Sequence, residues 1–181
     1  MYSVYVRGFV ANLGTRVLIE KKIDELSRHF SEEYLHLLSQ DLDKTIEDGV
    51  IPSLSILDKN IIETEEIAKG GVLTALWKIC DRNKWGLKYS LRKIPILQGS
   101  IEIANFFDLN PYRLLTANAN LIVIDTDEDV LHESFVKIGE ITTLKKRVRI
   151  DGESEAFLTK DYKDEIDKVI AKYTSHNICQ K

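Results

Sequence analysis

A strand, a pair of glycines and a helix that follow one another between residues 61 and 81 constrain the fold more than any other feature of the sequence. The segment 61–67 predicts a short strand, and Lys69, Gly70 and Gly71 form a turn directly after it. Over residues 72–81, apolar side chains recur every three or four positions, which is the spacing of one helix face. That face must be buried, so the helix is expected to pack on a sheet that contains the strand.

The rest of the chain alternates between the two kinds of element. Strands are predicted at 2–10, 85–91 and 121–124, a hairpin at 140–143 with 147–150, and helices at 15–30, 31–42, 100–107, 126–135 and 161–173. Thr15 is expected to cap the first helix, and the apolar run 121–124 is typical of a strand covered on both faces. A long series of parallel β-α-β units is missing from this pattern, which favours an α+β fold with a layered sheet.

Length and composition indicate a single domain over residues 1–181, in which 161–181 form a terminal helix and tail. Apolar residues make up 44% of the chain and charged residues 30%, enough to build a core and a solvated surface. The net charge of −4 provides no long-range attraction to nucleic acid or to an anionic membrane. Neither kind of partner is therefore expected.

The apolar runs, cysteines and histidines of the sequence bear on the cellular location of the protein and on whether it binds a metal. The N-terminal segment lacks the apolar run of a signal peptide, and no stretch approaches the length of a membrane helix. Cys80 and Cys179 are the two cysteines, and together with the four histidines they nowhere fall at the spacing of zinc ligands. We therefore expect a cytoplasmic protein without a disulfide framework or a metal site.

Four motifs resemble one superfamily in their order and spacing. They are Lys69-Gly-Gly-Val-Leu-Thr-Ala-Leu-Trp77, Arg92-Lys-Ile-Pro-Ile96, Phe106-Phe-Asp-Leu-Asn-Pro-Tyr112 and Ile138-Gly-Glu-Ile141. The chain resembles the C-terminal domain shared by aminoimidazole ribonucleotide (AIR) synthase, the hydrogenase maturation carbamoyl dehydratase, thiamine-phosphate kinase and selenophosphate synthetase. The resemblance implies a layered α/β/α domain with a mixed sheet. It also implies an N-terminal ATP-binding domain with acidic metal ligands, which nothing in this sequence matches.

The candidate binding site consists of Glu66, Lys69, Gly70 and Gly71. Unpaired amides at the start of a helix, together with the helix dipole, attract an anion, so phosphate or the phosphates of ATP are the possible ligands. The resemblance implies a turn of the form Asp-x-Thr-x-Gly-Gly that approaches a nucleotide, and here Glu66 and Ala68 stand in place of the Asp and the Thr. The alternative is that the glycine pair is only a tight turn between strand and helix. No catalytic residue and no metal ligand is assigned.

Other candidates have simpler explanations. Asn118 stands near a position where the superfamily has glycine, and asparagine tolerates a positive φ, so the backbone shape can survive there. Cys179 resembles the terminal thiol of the hydrogenase maturation relatives, but it lacks their Pro-Arg pair and two residues follow it, so a plain exposed thiol is the favoured interpretation. The basic cluster at 145–149 is typical of a solvated sheet edge, and the carboxylates at 125–129 are typical of a helix start.

Two functions remain open at this stage. The first is a stand-alone, non-catalytic module that binds phosphate or a nucleotide, or that associates with itself or with an ATP-binding N-terminal-type domain on another chain. The alternative is half of a split or truncated ATP-dependent enzyme of the hydrogenase-maturation or biosynthetic kind. A protein that has lost its ligand is a third, weaker possibility.

Overall fold

A computed structural model describes residues 2–47, 60–125, 135–152, 154–161 and 163–169 of the chain. Its strands are β1 (Tyr2–Arg7), β2 (Ile61–Ile67), β3 (Gly86–Tyr89), β4 (Ala119–Asp125), β5 (Phe135–Thr142), β6 (Arg147–Asp151) and β7 (Ser154–Phe157). Its helices are α1 (Asn12–Lys21), α2 (Ile23–Leu26), α3 (Glu32–Glu47), α4 (Gly71–Asn83) and α5 (Gln98–Phe106), with 3₁₀ turns at Leu91–Lys93 and Pro111–Arg113. Residues 166–169 are also helical, so the last helix does not begin at 161 as predicted.

Within these described ranges the strands form one seven-stranded sheet in the order β2-β4-β1-β5-β3-β6-β7. β3 and β6 run parallel, and the other neighbouring pairs are antiparallel. The α+β class and the mixed sheet are therefore confirmed. β4 lies between β2 and β1, and its residues Leu121, Ile122, Val123 and Ile124 are all buried, as the apolar run predicted.

Helix α4 packs on one face of the sheet. Its residues Val72, Leu76 and Ile79 are fully buried in one cluster with Val6 of β1 and Leu121 of β4. Burial of each such side chain contributes about 1.5–3 kcal/mol, so the apolar face predicted from the sequence is what holds this helix.

A second cluster joins α1, α3 and α5. Leu18, Leu42 and Ile103 are buried in it, and Ile166 and Val169 from the C-terminal region pack against the same helices. The chain that follows β7 is thereby tied back to the helical side of the molecule.

The structure differs from the prediction at the first helix. α1 begins at Asn12, directly after Ala11 with φ 63°, so Thr15 is not the N-cap, and its hydroxyl donates to the carbonyl of Ala11 at 2.7 Å. The buried Asn12 side chain donates to the carbonyl of Ala117 and accepts from its amide, both at 2.9 Å. This contact across the fold sets the helix start. The short α2 is separate from α1, so the continuous helix predicted over 15–30 is wrong.

The predicted hairpin is also wrong. β5 begins at Phe135, where the sequence predicted the end of a helix, and β3 lies between β5 and β6. Gly139 permits this arrangement, because a Cβ there would lie 2.2 Å from the carbonyl oxygen of Lys88 in β3. The helix predicted to start at 126 lies outside the described residues.

Candidate functional site

The turn between β2 and α4 is shaped by its two glycines. Gly70 has φ 82° and Gly71 has φ 65°, a left-handed backbone that residues with a Cβ rarely adopt. A Cβ on Gly71 would lie 2.4 Å from the carbonyl oxygen of Tyr112 and 2.8 Å from the Cα of Arg113. The start of α4 is thus packed directly against the backbone of the Pro111–Arg113 turn.

The amides of both glycines already have acceptors. The N–H of Gly71 donates to the carbonyl of Ala68 at 3.1 Å, and the N–H of Gly70 donates to Oδ2 of Asp164 at 2.8 Å. The expectation that these two amides are unpaired is therefore wrong. A carboxylate of the chain itself lies where the sequence predicted an external anion.

Asp164 is held by amides from three separate parts of the chain. Besides the bond from Gly70, its Oδ1 accepts from the amides of Leu115 at 3.3 Å and Ile166 at 3.1 Å. The side chain is almost fully buried at the N-terminal end of α4, where the helix dipole favours a negative charge. These three amides, which we call the oxyanion cage, form a site able to hold a carboxylate or a phosphate oxygen.

The other two predicted site residues lie apart from the cage. Lys69 is exposed and pairs with Asp167 at 3.4 Å, so it contacts the same C-terminal segment as Gly70. Glu66 is exposed on β2 and makes no side-chain hydrogen bond or ion pair with any other residue that the structure describes. The fold therefore brings Lys69, Gly70 and Gly71 together with residues 164–167 but leaves Glu66 outside.

Arg113 fixes the segment that carries Asp164. Its Nη1 donates to the carbonyl of Asp161 at 2.7 Å, and its Nη2 donates to Oγ1 of Thr159 at 3.1 Å. The hydroxyl of Thr74 in α4 also donates to the carbonyl of Asp161, at 3.1 Å. We call the described residues of 158–161 and 163–169 the strap, because these bonds fasten them across the start of α4.

Sequence reasoning missed both Asp164 and Arg113. An aspartate two residues before Ile166 that bonds its amide is an Asx-type cap, and this local signal was available in the sequence. The bond from Gly70 to Asp164 spans 94 positions, and nothing in the local pattern indicates it.

The segment at Asn118 has the backbone shape expected from the sequence. Asn118 has φ 52°, and its side-chain amide donates to the carbonyl of Ile46 at the end of α3. A Cβ on Gly8 would lie 2.7 Å from the carbonyl oxygen of Asn118, so β1 passes close to this turn. The positive φ predicted for Asn118 is therefore confirmed.

In the part of the chain that the structure describes, no group of three or more His, Cys, Asp or Glu side chains is placed to hold a metal ion, and no helix is long and apolar enough to cross a membrane. From the basic cluster, Arg147 lies 4.3 Å from the ring centre of Trp77 and 3.4 Å from Asp81, so its role is structural. Cys179 and the carboxylates at 127–129 lie outside the described residues.

Comparison with known proteins identifies the fold. No family model matches the sequence, and no curated protein matches it. The structure is similar to a chain of the HypE–HypF complex, with 17% identity, a TM-score of 0.65, and coverage of 88% of this chain and 53% of that chain. For the hydrogenase maturation protein HypE in complex with ATP, the identity is 11%, the TM-score 0.64 and the coverage 91% and 52%. For thiamine monophosphate kinase from Aquifex aeolicus, the values are 14%, 0.55, and 84% and 50%.

The chain spans about half the length of each of these proteins. At such identities the likeness shows the fold alone. The chain thus has an AIR synthase-like fold, as its motifs predicted.

Proposed function

We propose that this chain is a binding module that holds the phosphate of a nucleotide or of a related ligand and docks against another protein domain, without catalysing a reaction by itself. The docking partner is a second copy of the chain or an ATP-binding domain of the N-terminal type. One HypE structure contains ATP and one contains HypF, and both facts concern those proteins. For this chain they support a search among nucleotides and partner domains.

The oxyanion cage is the observation that carries the proposal. Three amides converge on Asp164 at the positive end of α4, and phosphate oxygens accept amide hydrogens in the same way. Lys69 beside the cage adds a positive charge. A phosphate that enters the cage must displace Asp164, so the strap and the ligand compete for the same amides.

Titration of phosphate and of ATP into the ¹⁵N-labelled chain, followed by NMR, tests the proposal. We expect weak binding by the wild type and binding at least about tenfold tighter by Asp164→Ala. Removal of the carboxylate leaves three amides free to bind the phosphate and removes a negative charge that repels it. The largest shifts should fall on the amides of Gly70 and Leu115. If folded Asp164→Ala binds neither ligand, the phosphate-binding proposal is wrong.

Two further variants keep this experiment decisive. Asp167→Ala removes the same charge from the strap, but the exposed side chain of Asp167 pairs with Lys69 and accepts from none of the three cage amides, so the affinity for phosphate should rise much less than in Asp164→Ala. Asp164→Asn keeps an acceptor for Leu115 and Ile166 while it loses the bond from Gly70, and it replaces Asp164→Ala if that variant does not fold. An equal gain in Asp167→Ala and Asp164→Ala would mean that only net charge matters.

The coverage of the compared structures favours a second candidate. Because the chain spans about half of HypE, it is also a candidate for the half of an ATP-dependent enzyme that meets an ATP-binding domain. This function predicts ATP turnover when the two domains are combined and none by this chain alone. ATP hydrolysis by the pure chain would contradict both candidates.

A further inference from the structure

A cavity of about 360 Å³ lies beside the strap and uses other residues than the oxyanion cage. Its apolar wall includes Leu73, Leu91 and Phe157, and its polar wall includes Arg113, Arg149 and Thr159. Its volume is that of sites that hold small organic ligands. All of these residues lie within the described ranges.

Arg149, which lines this cavity, carries a donor that makes no hydrogen bond with the described residues. Its Nε–H is buried and has no hydrogen-bond partner in the part of the chain that the structure describes. The nearest carboxylate oxygen, Oδ2 of Asp151, lies 3.2 Å away without hydrogen-bond alignment, and the other oxygen of Asp151 accepts from the hydroxyl of Ser90 at 2.9 Å. Asp151 therefore balances the charge of Arg149 without accepting a hydrogen bond from its Nε–H, and this buried donor can bind another acceptor.

Arg113 supplies a second, rigid cation. Its two hydrogen bonds to the strap hold a side chain that is mostly buried, and they use only part of its donors. The carboxylate of Asp161 is loosely paired with it at 3.7 Å and is half-exposed. The guanidinium is therefore held in place before any ligand arrives.

Tyr89 completes the polar wall. Its side chain is buried and lines the cavity. Burial raises the pKa of Tyr89 to about 12 although Arg149 and Arg113 act in the opposite direction, so the hydroxyl is a protonated donor at neutral pH. Two guanidinium groups and a phenol thus converge on one space.

We propose that this cavity binds a small organic phosphate, with the phosphate group between Arg113 and Arg149 and the organic group against Leu73 and Leu91. Guanidinium groups match the oxygens of phosphate in geometry, and a phosphate group can bind both of them at once. It has to compete there with Asp161 and Asp151, which lie 3.7 Å and 3.2 Å from the two guanidinium groups. The apolar wall favours a ligand with an organic group over inorganic phosphate. This site is separate from the oxyanion cage, and neither depends on the other being correct.

Calorimetric titration of the full chain with phenyl phosphate, inorganic phosphate and benzoate tests this site. We expect phenyl phosphate to bind most tightly, with benzoate at least about tenfold weaker. Arg149→Gln should weaken phenyl phosphate by about tenfold or more, since it removes charge-assisted hydrogen bonds. Arg149→Gln removes the ion pair with Asp151, but Asp151 keeps its hydrogen bond from Ser90, so this variant is expected to fold.

Lys145→Gln is the matched control, because it removes one positive charge from an exposed position in the turn before β6 and should leave the affinity unchanged. In NMR spectra the shifts should fall on Asn110 and Thr159 rather than on Gly70 and Leu115, which separates this cavity from the cage. The proposal is overturned if the folded wild type does not bind phenyl phosphate, if benzoate binds equally well, or if Lys145→Gln and Arg149→Gln lose the same affinity.

Discussion

Two buried residues that can ionise or react illustrate opposite environments within the same fold. Asp164 is surrounded by three amide donors and joins the strap to α4. Cys80 lies on the buried apolar face of α4, and burial raises the pKa of its thiol to about 11, with Arg147 acting in the opposite direction. Asp164 therefore connects separate segments through hydrogen bonds, whereas Cys80 is an unreactive residue of the core.

We predict that Cys80 is protected from thiol reagents in the folded protein. In a Cys179→Ser variant, which leaves a single thiol, modification at about pH 8 should be at least about 100-fold slower than in urea, because the thiolate is scarce and the site is closed. The rate should rise with pH toward the raised pKa. Equal rates in the folded and unfolded protein, measured by absorbance of the released thiolate, would contradict this.

The sheet has no room for a side chain at Gly139. We predict that Gly139→Ala lowers the free energy of unfolding by about 3 kcal/mol, because the added Cβ would meet the backbone of Lys88 and Tyr89. Gly152→Ala is the control, since its Cβ would meet nothing within 4 Å and only φ 68° opposes it, which costs about 1 kcal/mol. Urea unfolding of both variants measures the difference, and equal losses would contradict the proposed close contact of β5 with β3.

At the scale of elements, one hydrogen bond between α3 and α5 links stability to pH. The hydroxyl of Tyr34 donates to the carboxylate of Glu102. Burial and this bond raise the pKa of Tyr34 from 10.0 to about 12, while the bond, together with one from Gln98, lowers the pKa of Glu102. Tyr34 thus contributes stability that is present below pH 10.0 and is lost as the pH rises toward 12. Glu102 contributes stability that is present above its ordinary value of 4.5 and is lost as the pH falls through its lowered pKa.

Tyr34→Phe should therefore cost about 1 kcal/mol near neutral pH and less at both extremes, because both residues are partly exposed and the bond needs a protonated tyrosine and an ionised glutamate. Urea unfolding of wild type and variant from about pH 3 to about pH 11.5 measures this. In a Glu102→Gln background, the effect of Tyr34→Phe should no longer decrease at low pH, because glutamine does not ionise. A difference between Tyr34→Phe and wild type that does not change with pH would contradict the hydrogen bond.

Helices and strands that show their burial in their own apolar pattern could be predicted from the sequence. Strands that are set by pairing with a distant segment could not. The spacing of apolar residues in α4 and the run in β4 report burial directly, so both elements were predicted. β5 was not, since its partner β3 lies about 50 positions earlier in the chain and Gly139 was taken as the end of a helix. Local periodicity carries no information about which strands become neighbours.

At the scale of the whole molecule, the strap determines what the candidate site presents. The motif order predicted the fold and the Gly70-Gly71 turn, because those residues follow one another in sequence. The contacts of Asp164 and Arg113 bring together the turn after β2, the Pro111–Arg113 turn and the strap, which are distant in sequence. The sequence therefore predicted the position of the cage at the Gly70-Gly71 turn, but it could not predict that the carboxylate of Asp164 occupies it.

The last prediction is that the chain associates with itself through the β6–β7 end of the sheet. Phe157 lies on the edge strand β7, Leu144 lies in the turn before the neighbouring strand β6, and each residue is 70% exposed. Exposed apolar side chains of this size often mark an interaction surface. Light scattering at concentrations from micromolar to millimolar should give a mass above that of one chain. Phe157→Lys should shift the mass toward the monomer, because a charge on an edge strand opposes pairing. Ile62→Lys, on the opposite edge strand β2, should leave the mass unchanged. A monomeric wild type, or an equal effect of the two lysine variants, would show that this edge is not an interface between copies.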